Sequence, residues 1–223
     1  MPRTARVAPG GMVFHVINRG VNKNDLFFND TDYMAFERLL RETLEKRPMR
    51  ILSYCLMKNH WHMVLWPEND GDLGRFMQRL TVTHVTRWQK NYNMVGYGHL
   101  YQGRFKSFAV ETDDYFYQVN RYVERNALRA NLVTRAEDWP YNSLWILQHG
   151  TTEDRKLLSD WPMSRPRKWL QYVNEPASEA ELAALRRSCI RGTPYGSHDW
   201  VEKTASTLGL EATLRSPGRP KKR

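Results

Sequence analysis

An α+β fold built on an antiparallel sheet is what this chain predicts, and three observations carry the prediction. Short runs rich in β-branched and aromatic residues alternate with longer segments whose apolar residues recur every three or four positions. Proline and glycine punctuate the joins between them. From residue 12 to residue 126 the order is strand, helix, strand, strand, helix, strand, helix, which is the ferredoxin-like split βαβ arrangement with one helix added.

Each element has its own reason. Residues 12–18 read as a strand, and residues 32–46 put Tyr33, Phe36, Leu39, Leu40 and Leu44 on one helical side. Pro48 ends that helix, because its ring leaves no amide hydrogen to donate. Residues 50–57 form a second strand, Lys58-Asn59 a tight turn, and His60 opens a third strand that residues 67–71 close. Over 72–91, Leu73, Phe76, Met77, Leu80, His84, Val85 and Trp88 trace the buried face of a second helix. Gly96, Gly98 and Gly103 mark a loop before a strand at 105–111. The helix at 113–126 opens with Asp113 and Asp114, acids suited to the positive end of the helix dipole.

The 223 residues carry 41% hydrophobic content with 8 Trp and 11 Tyr, enough for a packed core. A net charge of +10 favours a polyanion, either nucleic acid or an anionic membrane surface. No apolar run approaches the roughly 18 residues a spanning helix needs, and Met1-Pro2-Arg3-Thr4 has no apolar stretch behind it, so a membrane anchor or export signal is not expected and the cytoplasm is. Cys55, in a strand, and Cys189, in a helix, read as free thiols of a reducing compartment.

Two segments carry the chemistry. His60-Trp61-His62 lies inside a strand, where side chains alternate faces, so both imidazoles project together, roughly 7 Å apart at Cα, while Trp61 points into a core. On the helix at 113–126, Phe116, Val119, Val123 and Ala127 form an apolar stripe, and Tyr115, Gln118, Tyr122 and Asn126 a polar stripe beside it. Tyr122 and Asn126, four apart, stand one above the other. A phenol and an amide presented to a sheet bearing two imidazoles make a nucleophile-plus-metal arrangement. Taken separately, the histidine pair reads as part of a half-buried sheet and the tyrosine segment as an ordinary amphipathic helix.

Their combination and order resemble the single-tyrosine HUH transposases, most closely the REP-associated tyrosine transposases. The residues that carry the resemblance are Phe14-His15-Val16-Ile17-Asn18-Arg19-Gly20, the run from Leu56 through His60-Trp61-His62 to Pro67, Leu100-Tyr101-Gln102-Gly103-Arg104-Phe105-Lys106-Ser107, and Arg121-Tyr122-Val123-Glu124-Arg125-Asn126-Ala127-Leu128-Arg129-Ala130. Ala127 departs from the proline that often follows the asparagine in that family. The resemblance implies a sheet backed by two helices with the tyrosine helix on the open face. It also implies Tyr122 as nucleophile, His60, His62 and Asn126 as ligands of a divalent metal, and a 5′-phosphotyrosine intermediate on a hairpin-forming repetitive extragenic palindrome.

The residue types fit such chemistry. Phosphodiesters repel anions and a phenol is a feeble nucleophile at neutral pH, so positive charge must lie against the phosphate. Imidazole and amide oxygen suit Mg²⁺ or Mn²⁺ with positions left open. Gln118, one turn before Tyr122, is placed to orient the phenol or a water. Arg121 and Arg125 border the polar stripe and suit a flanking phosphate, Arg104 and Lys106 follow an aromatic loop suited to stacking unpaired bases, and Asn18-Arg19 has the donors to read base edges. The expected partner is single-stranded or hairpin DNA, bound by a monomer or homodimer. The rival readings are a hairpin-binding protein that lost the chemistry, an RNA-binding ferredoxin-like module, and a replication initiator or relaxase, the last commonly bearing a third histidine or second tyrosine.

The expected organisation is a catalytic domain at 1–145, an irregular connection at 146–177 with at most a short helix near 167–173, a small helical region at 178–210, and a basic disordered tail at 211–223. Ser178-Glu179-Ala180-Glu181 has capping-box form, the helix it opens runs to Arg191, and a second runs from Ser197 or Asp199 to Leu208. The pair suits either a helix-turn-helix reader or a cover for the catalytic domain. In the tail, Gly218-Arg219-Pro220 resembles an AT-hook core, in which Arg219 would enter a minor groove.

Overall fold

The computed structural model describes residues 7–215, so the basic segment containing Arg219 lies outside the described residues. Four strands, β1 (Val13–Arg19), β2 (Arg50–Met57), β3 (His60–Trp66) and β4 (Lys106–Val110), make one antiparallel sheet in the order β2-β3-β1-β4. Helices α1 (Asp30–Lys46) and α2 (Asp72–Asn91) back one face, and α3 (Asp114–Glu124) lies on the other. This is the predicted mixed architecture. Strand β2 and helix α2 have the bounds the sequence pattern implies.

Side-chain alternation sorts the sheet into two cores. Trp61, Met63 and Leu65 of β3 and Phe14 and Val16 of β1 pack with the apolar rows of α1 and α2. Val13, Val64, Phe108 and Val110 pack instead with Phe116, Val119 and Val123, the predicted apolar stripe of α3. A register shift between Ile51 and Ser53 brings Ser53 onto the α3 side, where its hydroxyl bonds Asn120.

The tyrosine helix is shorter than expected. It stops at Glu124, and a separate turn, α4 (Asn126–Arg129), begins after Arg125. The Glu124 carbonyl, which a continuous helix would bond four residues on, accepts from the Asn142 side chain.

The chain beyond residue 129 closes both edges of the sheet. Leu56 N–H bonds the Tyr141 carbonyl and Asn142 bridges to Cys55 at the β2 edge, while Tyr195 pairs beside Val110 at the β4 edge. Unpaired edges invite aggregation, so these segments complete the sheet. Helix α5 (Ser143–His149) spans the expected boundary at 145, and Ser143 Oγ accepts from Tyr54 N–H, tying it to β2. The expected irregular connection holds α6 (Thr152–Arg155), opened by a Thr151 capping box, and α7 (Trp169–Asn174).

Helix α8 (Glu179–Arg191) ends at Gly192 in a left-handed conformation with φ 75°, and α9 (His198–Leu208) ends at Gly209 likewise with φ 65°. Ser178 caps α8 by accepting from Glu181 N–H, but the Glu181 carboxylate pairs with Arg121 rather than turning back on Ser178. Helix α8 packs along β4. The expected disorder from residue 211 does not hold for its first residues. Glu211–Leu214 forms a short helix α10 whose carbonyls are gathered by Arg191 and Thr193. Among the described residues, no helix is long and apolar enough to cross a membrane.

Candidate active site

His60 and His62 come from the same face of β3, with ring centroids 5.1 Å apart. Tyr122 reaches them from α3, its ring 5.5 Å from His62 and edge-on to it. Residues some sixty positions apart therefore meet as the sequence reading required. They line a cavity of about 550 Å³.

Each imidazole is held through Nδ1. His60 Nδ1 lies 2.7 Å from Asn59 Oδ1, which only accepts, so His60 carries its proton there and its Nε2 lone pair is free. Asn59 is steadied in turn by donating to the Lys23 carbonyl. His62 Nδ1 lies 2.8 Å from Nε2 of His15, a fully buried residue stacked on Phe108. Burial lowers all three histidines, His15 to about 3, His60 to about 4 with help from Arg19, and His62 well below the ordinary range with help from His15 and His60. All three are neutral at physiological pH.

Cationic side chains complete the cavity: Arg19 from β1, Arg104 and Lys106 at the entry to β4, Arg129 from α4 and Arg186 from α8. No carboxylate lines it among the described residues. Arg129 lies over the Tyr122 ring, 4.7 Å from its centroid. Burial, then Cys189 of α8, which shares a hydrogen bond with the phenol, raise the Tyr122 pKa, and Arg129 opposes them. Burial outweighs Arg129, so the phenol stays protonated, and Arg129 is the neighbour that opposes the rise.

The other expected site residues separate into two groups. Asn18, Arg19, Arg104 and Lys106 do line the cavity. Gln118 does not: its Oε1 accepts from the Tyr195 hydroxyl at 2.5 Å, because the Tyr195 segment beside β4 reaches α3 first. Arg121 is buried in an ion pair with Glu181 and lies over Tyr172. Arg125 donates to the Asn174 carbonyl at 3.4 Å and borders a smaller cleft of about 210 Å³ on another side of Tyr122.

His60 and His62 fit a divalent metal, being neutral, adjacent and oriented through the nitrogen not needed for binding. Asn126 is 2% exposed and not on the cavity wall, and its Oδ1 accepts from Arg129 at 2.8 Å while its Nδ2 has no partner. It would have to exchange Arg129 for the metal. Among the described residues, no group of three or more His, Cys, Asp or Glu is placed to hold a metal ion.

Sequence reasoning missed His15, Asn59, Arg129, Arg186 and Cys189. His15 and Asn59 lay within or beside quoted motifs, and the turn before a histidine strand was a usable signal. Nothing local marks Arg186 or Cys189, which reach the cavity only because α8 folds back on β4.

Residues 10–126 match the family model described as Transposase IS200 like. The chain belongs to that family. The matched span of the IS200-like transposase runs from before β1 to the start of α4 and contains His60, His62 and Tyr122. A putative REP-associated tyrosine transposase of Haemophilus influenzae is similar to it, 26% identical over 123 residues that cover 51% of this chain and 69% of that protein. A solved REP-associated tyrosine transposase bound to a REP hairpin shares its fold, with TM-score 0.53 and 19% identity over 67% of this chain and 87% of that one.

Proposed function

We propose that this IS200-like transposase is a metal-dependent nickase and strand transferase for single-stranded DNA, working in the cytoplasm on hairpin-forming repetitive extragenic palindromes. The observation that carries the reading is the meeting of Tyr122 with the His60–His62 pair in a cavity lined, among the described residues, by five cationic side chains and no acid. The substrate class is taken from the relatives, one of which binds a REP hairpin.

Arg104, Lys106 and Arg186 hold a phosphodiester against Tyr122, offsetting the repulsion that its charge offers a nucleophile. The phenolic oxygen attacks phosphorus, the phosphorus–O3′ bond breaks, the phenol releases its proton and the departing 3′-oxygen gains one. Tyr122 is left carrying the 5′-phosphate. Phosphodiester bond energy is conserved, so a 3′-hydroxyl can reverse the step without ATP. His60 and His62 would hold Mg²⁺ or Mn²⁺, which would supply further positive charge at the phosphate.

The test is a labelled single-stranded hairpin incubated with protein and Mn²⁺, then run on a denaturing gel. A covalent adduct that EDTA prevents and Tyr122→Phe abolishes, with hairpin binding retained, is the expected result. An adduct that survives Tyr122→Phe and disappears with Tyr115→Phe would overturn the assignment of the nucleophile. Binding without any adduct would favour the hairpin-binding protein that lost its chemistry.

A further inference from the structure

The smaller cleft, of about 210 Å³, is separate from the catalytic cavity and shares only Tyr122 and Arg129 with it. One wall carries Arg121, Arg125 and Arg129, and the other is the start of α8 with Glu179 and Leu182. Arg125 N–H bonds the Arg121 carbonyl and Arg129 N–H the Arg125 carbonyl, each at 2.9 Å, so helical spacing survives the break between α3 and α4. The three guanidinium groups therefore stand in a row along one side.

Their charges are unequally matched. Arg121 is paired with Glu181. Among the described residues, Arg125 finds only the Asn174 carbonyl at 3.4 Å, and its Nε is buried without a partner. Arg129 donates at 2.8 Å to the amide oxygen of Asn126, which carries no charge. The acid on the wall, Glu179, is exposed. Burial, then Arg121 and Arg129, lower the Arg125 pKa, as crowding of like charges away from water does. Such a guanidinium costs free energy until an anion joins it.

Two guanidinium groups without carboxylates, facing one small space, suit phosphate. Its several oxygens accept from both at once, whereas a carboxylate is used up by one fork. At about 30 Å³ per water the cleft has room for about seven, which fits a phosphate group and part of its hydration.

We propose that this cleft is a phosphate site, the anion held between Arg125 and Arg129, and that Arg129 links its occupancy to Tyr122 and Asn126. The site stands on the cleft itself, while its bearing on strand transfer rests on the reading of Tyr122 as nucleophile. An anion in the cleft draws Arg129 from the Tyr122 ring and from Asn126 Oδ1, so occupancy is felt at the nucleophile from outside the catalytic cavity.

The test is a titration of the whole protein with inorganic phosphate at constant ionic strength, followed by the side-chain N–H resonances of Arg125, Arg129 and Asn126 in proton–nitrogen spectra. Each resonance is assigned by its loss in Arg125→Gln, Arg129→Gln or Asn126→Ala, and Arg125→Lys serves where glutamine unfolds the chain. All three should shift along one isotherm. The shifts should persist in Arg104→Gln, whose side chain lines the catalytic cavity and not the cleft. In Arg125→Gln the affinity read at Arg129 should fall about tenfold or more. Hairpin DNA then distinguishes the sources of the anion. A strand that fills the cleft with its own backbone shifts Arg125 without added phosphate, and a neutral methylphosphonate at the filling position removes the shift. A free phosphate shifts Arg125 only when added, with or without DNA. No shift at Arg125 with either ligand, loss of the shift in Arg104→Gln, or undiminished affinity in Arg125→Gln overturns the site, and an unmoved Asn126 overturns the link. Should the resonances respond as expected while no hairpin gives a Tyr122 adduct, the phosphate site stands and the nuclease reading falls.

Discussion

Along β3, Trp61, Met63 and Leu65 meet α1 and α2, whereas His60 and His62 meet α3 and α8. On the first face Trp61 is fully buried and its indole N–H donates to the Tyr101 hydroxyl at 3.0 Å. On the second, apolar packing by Val64, Phe116 and Val123 gives way at one end to imidazoles, a phenol and arginines around open space. The period of a strand lets one seven-residue segment serve both purposes. The α1–α2 side of this strand is filled by apolar side chains, and the other side leaves polar groups around the cavity.

That division is broken most directly by comparing neighbours. Trp61→Ala should cost about 3–5 kcal/mol of folding stability, the range for emptying a large aromatic site. His60→Ala, at a half-buried position at the end of the same strand, should cost no more than about 1 kcal/mol and yet eliminate the adduct. Urea denaturation and the adduct gel together decide it. Equal stability losses would mean that the two faces are not divided in this way.

A smaller effect is expected behind the site. His15 is a positioning residue: it touches His62 Nδ1 without lining the cavity itself, and its own Nδ1 is buried without a partner. For His62 Nε2 to offer a lone pair, His62 must carry its proton on Nδ1 and donate it to His15. His15→Phe keeps the stacking on Phe108 and removes that acceptor. Adduct formation should slow by on the order of 10- to 100-fold with hairpin affinity unchanged, and His15→Gln should recover part of the rate. An unaltered rate in His15→Phe would leave His15 a purely structural residue.

What could be read in advance follows from how locally each feature is determined. Helix α2 and strand β2 are long, strongly patterned and ended by Pro, Gly or Asn signals, so their bounds needed no tertiary information. The two periodicities put His60 with His62 on one strand face and Tyr122 on one helix face, and the resemblance to the single-tyrosine HUH transposases joined them into one expected site. Gln118 and Arg121 share the outward side of the same helix, but their partners Tyr195 and Glu181 lie sixty or more residues later, and no pattern within α3 reveals them. At the break before Asn126 the Glu124 carbonyl likewise accepts from Asn142, a partner eighteen residues later. Local sequence places side chains on faces. What occupies those faces is decided by the C-terminal third of the chain.

The closed face also contains a histidine, and it sharpens the contrast at the scale of about 1 kcal/mol. His84 of α2 is stacked on Phe27, and its Nδ1 accepts from the Tyr101 hydroxyl at 2.6 Å, so a chain of donors runs from Trp61 through Tyr101 to a neutral imidazole. Burial lowers the His84 pKa to about 3 from an ordinary value of 6.5. Above the ordinary value both folded and unfolded chains leave it neutral, and it contributes nothing to pH dependence. Below that value the unfolded chain takes up a proton that the folded one refuses, so stability falls with pH until the folded value is reached. The slope approaches about 1.4 kcal/mol per pH unit for one such group. Acidic residues and the other histidines add their own slopes, but they are common to wild type and His84→Gln, so the difference between the two proteins isolates His84. Urea denaturation of both should show the wild type losing about 1 kcal/mol more than His84→Gln between about pH 7.5 and about pH 5.5. Parallel curves would mean that the imidazole gains a proton without unfolding, and the face packed by α1 and α2 would be less closed than Trp61 and Tyr101 make it.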